Sequence, residues 1–357
     1  MLSVGLLSTS SCLAGSHVAS QSAPSSGWTI AQHLSIPRSE HTATRLLDGR
    51  VLVAGGSTAN QQTTTTAEIY DPATGSWTGT GSMSVARATH QAVLLNNGLV
   101  MVKGGGTATD RSTEFYDPAT GVWTRGPNVS PPVVNSFGLT LLADGRVLFN
   151  PGVPNRDCRL YDPIADQWTP TGRVIFARSS FTATLLNDGR ALKAGGDSQA
   201  ATKPQAELYD PATETWTATS RMSKARSFHS AVLLLSGKVL VAGAFYPADK
   251  TTDLYDPIPG TWTLTGNMPS RLQQCVMTLL ADGRAMVAGG LDPDSHGINP
   301  NSTIYDPSTG TWGALESVQG RHGTGATITT LLDGKVLLVG GRDRNFQPTA
   351  DVDLYQP

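Results

Sequence analysis

Four arginines, Arg38, Arg87, Arg178 and Arg226, each lie 11 residues before a glycine that closes a turn. Arg271 and Arg321 fall in nearly the same place before two further turn glycines. Three residues after the arginine come His41, His90 and His229, with Phe137, Phe181 and Cys275 at that place in other copies. Glu40, beside His41, is the carboxylate of this series to examine. A ring of guanidinium groups pairs carboxylates bidentately, so one reading is a cationic funnel for an anionic ligand such as a sugar acid. The other reading is that each arginine braces its own structural unit against loop carbonyls. Regular repetition favours bracing, because ligand sites usually break repeat symmetry.

The elements that position these residues are repeats. Leu46-Leu47-Asp48-Gly49-Arg50-Val51-Leu52-Val53-Ala54-Gly55-Gly56 reads as a β-hairpin: a turn pair that tolerates positive φ stands between apolar strands, and a glycine doublet ends the second. Its turn glycine returns at Gly98, Gly145, Gly189, Gly237, Gly283 and Gly334. In phase with it runs Tyr70-Asp71-Pro72-Ala73-Thr74-Gly75-Ser76-Trp77, whose Asp-Pro-x-x-Gly supplies a second turn. Tyr and Trp keep a spacing of seven in six copies, from Tyr70/Trp77 to Tyr305/Trp312. Four short strands in each period of 44 to 51 residues specify a propeller blade.

Trp28 has no Tyr-Asp-Pro before it, and Tyr355 has no Trp after it. The segment around Trp28 is therefore expected to supply the outermost strand of the last blade, closing an all-β, seven-bladed propeller of four-stranded antiparallel blades and leaving no open sheet edge. With the Gly-Gly doublet, the Tyr-Asp-Pro and the phased Trp together, residues 27–357 resemble a kelch-repeat β-propeller, read as one domain. The third copy departs with Pro151-Gly152, the fifth with Gly243-Ala244 and the second with Gly104-Gly105-Gly106. In the third copy Val134, behind Pro131-Pro132, stands in the arginine position.

Alternating strands send the Asp-Gly and Asp-Pro turns to one face. The connections after the glycine doublet go to the other, with the arginines. Those connections vary most in length, shortest from Gly152 to Tyr161 and longest from Gly290 to Tyr305, and variable loops on a rigid scaffold are where binding is expected. His41 and His90 fall in successive blades and His229 across the channel, so no shared metal is expected and the position reads as a core site. Asp292-Pro293-Asp294-Ser295-His296-Gly297 resembles a calcium loop without its closing bidentate acid and reads as a solvated loop.

Charged residues make up 15% of the chain, the net charge is -2 and no basic run exists, which disfavours nucleic acid and anionic membranes. No apolar run is long enough to span a bilayer. Residues 1–26 carry no charged side chain and begin Met1-Leu2-Ser3-Val4-Gly5-Leu6-Leu7, resembling a secretory leader without its basic start, with Val18-Ala19-Ser20 as a cleavage site. Export to the periplasm, the cell surface or the medium is the expectation; a disordered tail on a cytoplasmic protein is the alternative. Acylation at Cys12 would follow a poorly matching Thr9-Ser10-Ser11. Cys158 and Cys275 are expected as buried free thiols.

The resemblance also implies possible enzymes. Copper-radical oxidases similar to galactose oxidase need a Cys-linked Tyr and a Tyr next to a His, and no Tyr-His pair exists here. Sialic acid epimerases of the kelch type would use arginines and an acid or base at the channel. The sequence reading is a monomeric, non-catalytic scaffold without cofactor or metal that binds a protein or carbohydrate partner. A carbohydrate-active protein, as epimerase, mutarotase or lectin, is the alternative.

Overall fold

In a computed structural model of the chain, residues 26–107, 110–129, 137–198, 201–244, 249–295 and 297–357 are described. They form seven blades of antiparallel strands around a central channel, with a single short helical turn at Ala59–Gln61 among the described residues. Blade 1 runs Thr42–Arg45, Val51–Ala54, Ala67–Asp71 and Ser76–Thr80 from channel to rim. Blade 7 takes Thr327–Thr330, Val336–Val339 and Val352–Gln356 from the C-terminus and Gly27–Ile30 from the N-terminus, with Trp28 opposite Tyr355. The ring is closed as the unmatched Trp28 and Tyr355 imply. The proposed leader and Cys12 lie outside the described residues.

Each hairpin turn follows from its residues. Gly49 adopts φ 89°, and the Asp48 carboxylate accepts the Arg50 backbone N–H at 3.0 Å while its other oxygen pairs with the Arg50 guanidinium. The same pairing recurs as Asp144–Arg146, Asp188–Arg190, Asp282–Arg284 and Asp333–Lys335. Arg50, Arg146 and Arg190 also reach the Pro118, Pro211 and Pro257 carbonyls of the following blade.

Second strands such as Val51–Ala54 and Val336–Val339 are buried on both faces, because each blade is covered by two neighbours. The repeat aromatics seal those interfaces. Tyr70 packs on Trp77 with ring centroids 5.0 Å apart, and the Trp77 indole donates to the Gln32 carbonyl on the preceding side. Trp28 stacks on Tyr355 at 5.2 Å and donates to Ser302 Oγ of blade 6 at 2.8 Å. The glycine doublet lies where a neighbour crosses: a Cβ on Gly55 would sit 2.6 Å from the Arg87 carbonyl oxygen, and one on Gly56 2.7 Å from that of Ser39. Cys158 and Cys275 are buried free thiols, pushed up to about 11 and about 12 by burial.

Candidate functional site: the channel mouth

Arg38, Arg87, Arg178 and Arg226 are fully buried. Each spans its own blade, donating to the first carbonyl of the glycine doublet (Gly55, Gly104, Gly195, Gly243) and pairing with a third-strand carboxylate: Glu68, Glu114, Glu207 or Asp253. The Arg38–Glu68 contact is 2.8 Å and the Arg178–Glu207 contact 2.6 Å. Glu207 also accepts the Ile175 N–H, and Glu68 that of Ser35. These guanidinium groups are held inside the blades by bonds that leave the channel to other side chains.

Arg271 and Arg321 sit elsewhere. Both are exposed and pair with Asp294 and Asp351. Backbone register assigns their expected slot to the next residue: the Ala244 N–H bonds the Leu272 carbonyl, and that of Gly290 the His322 carbonyl, as that of Gly56 bonds Arg87. Leu272 is buried in blade 6, where the third-strand position that holds a carboxylate in other blades is Thr303, paired with Val287. His322 is buried in blade 7, where Nδ1 meets the Gly340 carbonyl oxygen at 2.8 Å and Nε2 lies 3.6 Å from Asp353. Val134 lies outside the described residues.

His41, His90 and His229 are wedges between blades. Their Nε2 atoms bond Thr327, Thr42 and Thr182, each on the inner strand of the preceding blade. Their rings fill the space beside Gly340, Gly55 and Gly195, as Phe137 does beside Gly104 and Cys275 beside Gly243. Burial first, then nearby arginine charge, holds His90 and His229 down at about 3 and His41 well below the usual imidazole range.

The residues just before the wedge position build the mouth, and of these the sequence pattern points to Glu40 alone. Glu40, Thr89, Ser180, Phe228 and Gln274 all adopt left-handed backbone, φ 50° to 58°, and Gly325 completes the series at φ 74°. Hydrogen bonds link neighbouring members around the opening: the Glu40 N–H donates to the Gly325 carbonyl, Thr89 to Glu40, and Phe228 to Ser180. These six residues, with Phe181, His229, Cys275 and Thr324, line a cavity of about 330 Å³. Phe228 is 41% exposed there. Glu40 is half-buried, accepting Ser57 Oγ at 2.9 Å and pairing with Arg342 at 3.2 Å. Below the mouth the channel continues between inner strands, past Thr44, Gln91, Ser230 and Met277.

Fold and repeat define the class: a seven-bladed β-propeller. The kelch motif model matches residues 38–84, which run from the first buried arginine to the start of the next blade. No curated protein matches the chain in sequence. Among solved structures the chain is similar to a fungal alcohol oxidase of the AA5 family in complex with copper, at 18% identity and a TM-score of 0.75, over 93% of this chain and 76% of that one. That likeness concerns the fold.

The described residues do not form a copper centre. Among the described residues no three His, Cys, Asp or Glu side chains come together as a metal-binding set. The three wedge histidines occupy separate blade interfaces, and Tyr116, Tyr209, Tyr255 and Tyr305 bond threonine hydroxyls at the outer strands of the preceding blades. Tyr246 and His296 lie outside the described residues. In the sixth-blade loop, Asp294 is ion-paired with Arg271, and Asn299 bonds the Gly289 and Asn301 carbonyls. No step through a metal follows from these contacts.

Proposed function

We propose that the protein is a non-catalytic binding scaffold that receives the end of a glycan in the channel mouth. The observation that supports this is the exposed Phe228 in a cavity that it shares with Phe181, His229 and Cys275 and with the polar residues Ser180, Thr89, Thr324, Gln274 and Glu40. An aromatic face covers the C–H side of a pyranose, and hydroxyl, amide and carboxylate groups exchange hydrogen bonds with its hydroxyls. A neutral sugar or an amino sugar suits this lining better than a sugar acid, because the series arginines are bonded inside the blades or on the rim and the mouth cation Arg342 is paired with Glu40. We further propose that the uncharged residues 1–26 direct export; N-terminal sequencing of the natively expressed protein tests this, and an intact Met1 refutes it.

A thermal-shift screen against neutral sugars, amino sugars and sugar acids tests the binding reading, since a ligand of the folded state raises the melting temperature. The expected result is a shift with a neutral or amino sugar that disappears in Phe228→Ala while the melting temperature of the free protein is unchanged. A shift with a sugar acid, lost on changing Arg342, would return the case to the acidic ligand. No shift with any sugar would move the mouth to a protein partner.

A further inference from the structure

The lower end of the channel, on the face of the Asp-Gly and Asp-Pro turns, holds a charge that the repeat does not explain. The last residue of the innermost strand is leucine in blades 2 to 6, from Leu94 to Leu279, and becomes Thr330 in blade 7 and Arg45 in blade 1. Arg45 is the single charged residue in those seven strands. Ligand sites usually break repeat symmetry, and this position does.

The Arg45 side chain is exposed and lines a concavity of about 640 Å³. Its Nη1 donates to the Thr330 carbonyl oxygen at 2.6 Å, while Nη2 and Nε bond no other group of the described residues. Thr330 is itself fixed: its hydroxyl donates to the Leu279 carbonyl oxygen at 2.7 Å and lies 2.8 Å from the Thr278 hydroxyl. Blades 6, 7 and 1 thus hold the guanidinium through Nη1 and leave open the Nε–Nη2 edge, which can pair side-on with a carboxylate. Around it, Ala43, Leu279, Ile328 and Leu332 supply aliphatic wall, and no carboxylate lines the concavity. The acids of the adjoining hairpin turns, Asp48, Asp282 and Asp333, are bonded to Arg50, Arg284 and Lys335 of their own turns.

We propose that the lower end of the channel binds a small aliphatic monocarboxylate, with its carboxylate paired to Arg45 and its chain against Leu279, Ile328 and Leu332. One unpaired cation matches one negative charge, whereas a phosphate dianion would bring a second charge against aliphatic wall without a partner. The concavity falls within the roughly 300–1,000 Å³ of small-molecule sites, and Leu332, 67% exposed, gains by being covered. The site is at the opposite end of the channel from the mouth and does not rest on the glycan reading.

The test is isothermal titration of the full chain with hexanoate at neutral pH, against acetate, hexanamide and inorganic phosphate as comparison probes. Hexanoate is expected to bind at least about fivefold more tightly than acetate, which lacks the chain, and than hexanamide, which lacks the charge. Arg45→Leu installs the residue of blades 2 to 6 and is expected to keep the melting temperature while weakening hexanoate at least about tenfold. If Arg45→Leu melts below wild type, Arg45→Gln decides instead, because its amide can still donate to the Thr330 carbonyl; the same loss of affinity is expected. Leu332→Asn is expected to weaken hexanoate at least about threefold. Phe228→Ala, at the mouth, is expected to bind it as wild type, so that failure of this site and failure of the mouth are read separately. The proposal is overturned by no binding of hexanoate, by wild-type affinity in the deciding arginine variant or in Leu332→Asn, by equal binding of acetate or hexanamide, by phosphate binding tighter than hexanoate, or by loss of hexanoate binding in Phe228→Ala.

Discussion

Replacing Arg178 by methionine separates bracing from ligand binding at the buried arginines. The guanidinium makes contacts of 2.6 Å to the Gln205 carbonyl oxygen and to Glu207, and it also bonds the Gly195 carbonyl. Burial lowers its pKa, the nearby Glu207 carboxylate opposes that, and the always-charged side chain keeps its proton. Without it, a fully buried carboxylate keeps only the Ile175 and Phe176 N–H donors, and two carbonyls lose a partner. Removing one member of a buried ion pair costs about 3–5 kcal/mol. At roughly 1.4 °C per kcal/mol for a chain of this size, Arg178→Met should lower the melting temperature by about 4–7 °C. The double variant Arg178→Met/Glu207→Leu removes both charges and should be more stable than Arg178→Met alone, because no orphaned carboxylate remains. Circular dichroism melts at a fixed scan rate, with sugar binding measured below the transition, provide the assay. The reasoning is refuted if Arg178→Met melts within about 1 °C of wild type, or if it abolishes sugar binding at unchanged stability.

Acid should weaken the ring through its histidines. His90 and His229 sit at about 3 when folded against about 6.5 unfolded, so only the unfolded chain takes up their protons between those values. Stability is fully present above about pH 6.5 and falls towards pH 3, by up to roughly 1.4 kcal/mol per unit and per histidine. His90→Phe/His229→Phe, using the residue found as Phe137 and Phe181, should flatten the melting curve against pH; parallel curves would count against it. Trp28→Ala should cost about 3–5 kcal/mol by opening the blade 7 seam, measured as a fall in denaturation midpoint. Gly55→Ala places a Cβ 2.7 Å from His90 Cε1 as well as against the Arg87 carbonyl, and should lower the melting temperature, whereas the exposed, unencumbered Gly79→Ala should not.

The blades, their number and their closure were legible because turn glycines, the Asp-Pro turns and the Tyr–Trp pairs act through neighbours in sequence or through one repeated contact. Slots were less legible where spacing slipped: Arg271 and Arg321 resemble the series, but the hydrogen-bond register passes to Leu272 and His322. The signal for blade 6 was present in retrospect, since Thr303 offers no carboxylate for an arginine to meet. Nothing in the residue types of Glu40, Thr89, Ser180, Phe228 and Gln274 marks them as one set, because their common feature is a backbone angle.

By itself, the amino-acid sequence determined a seven-bladed ring and which positions repeat in it, since periodic turn chemistry and strand patterning are local properties multiplied by copy number. Only the tertiary structure decided that four arginines are drawn into the blades and that residues in left-handed backbone build the mouth. Those outcomes depend on how blades meet around an axis, where burial, inter-blade hydrogen bonds and register are set by residues far apart in the chain.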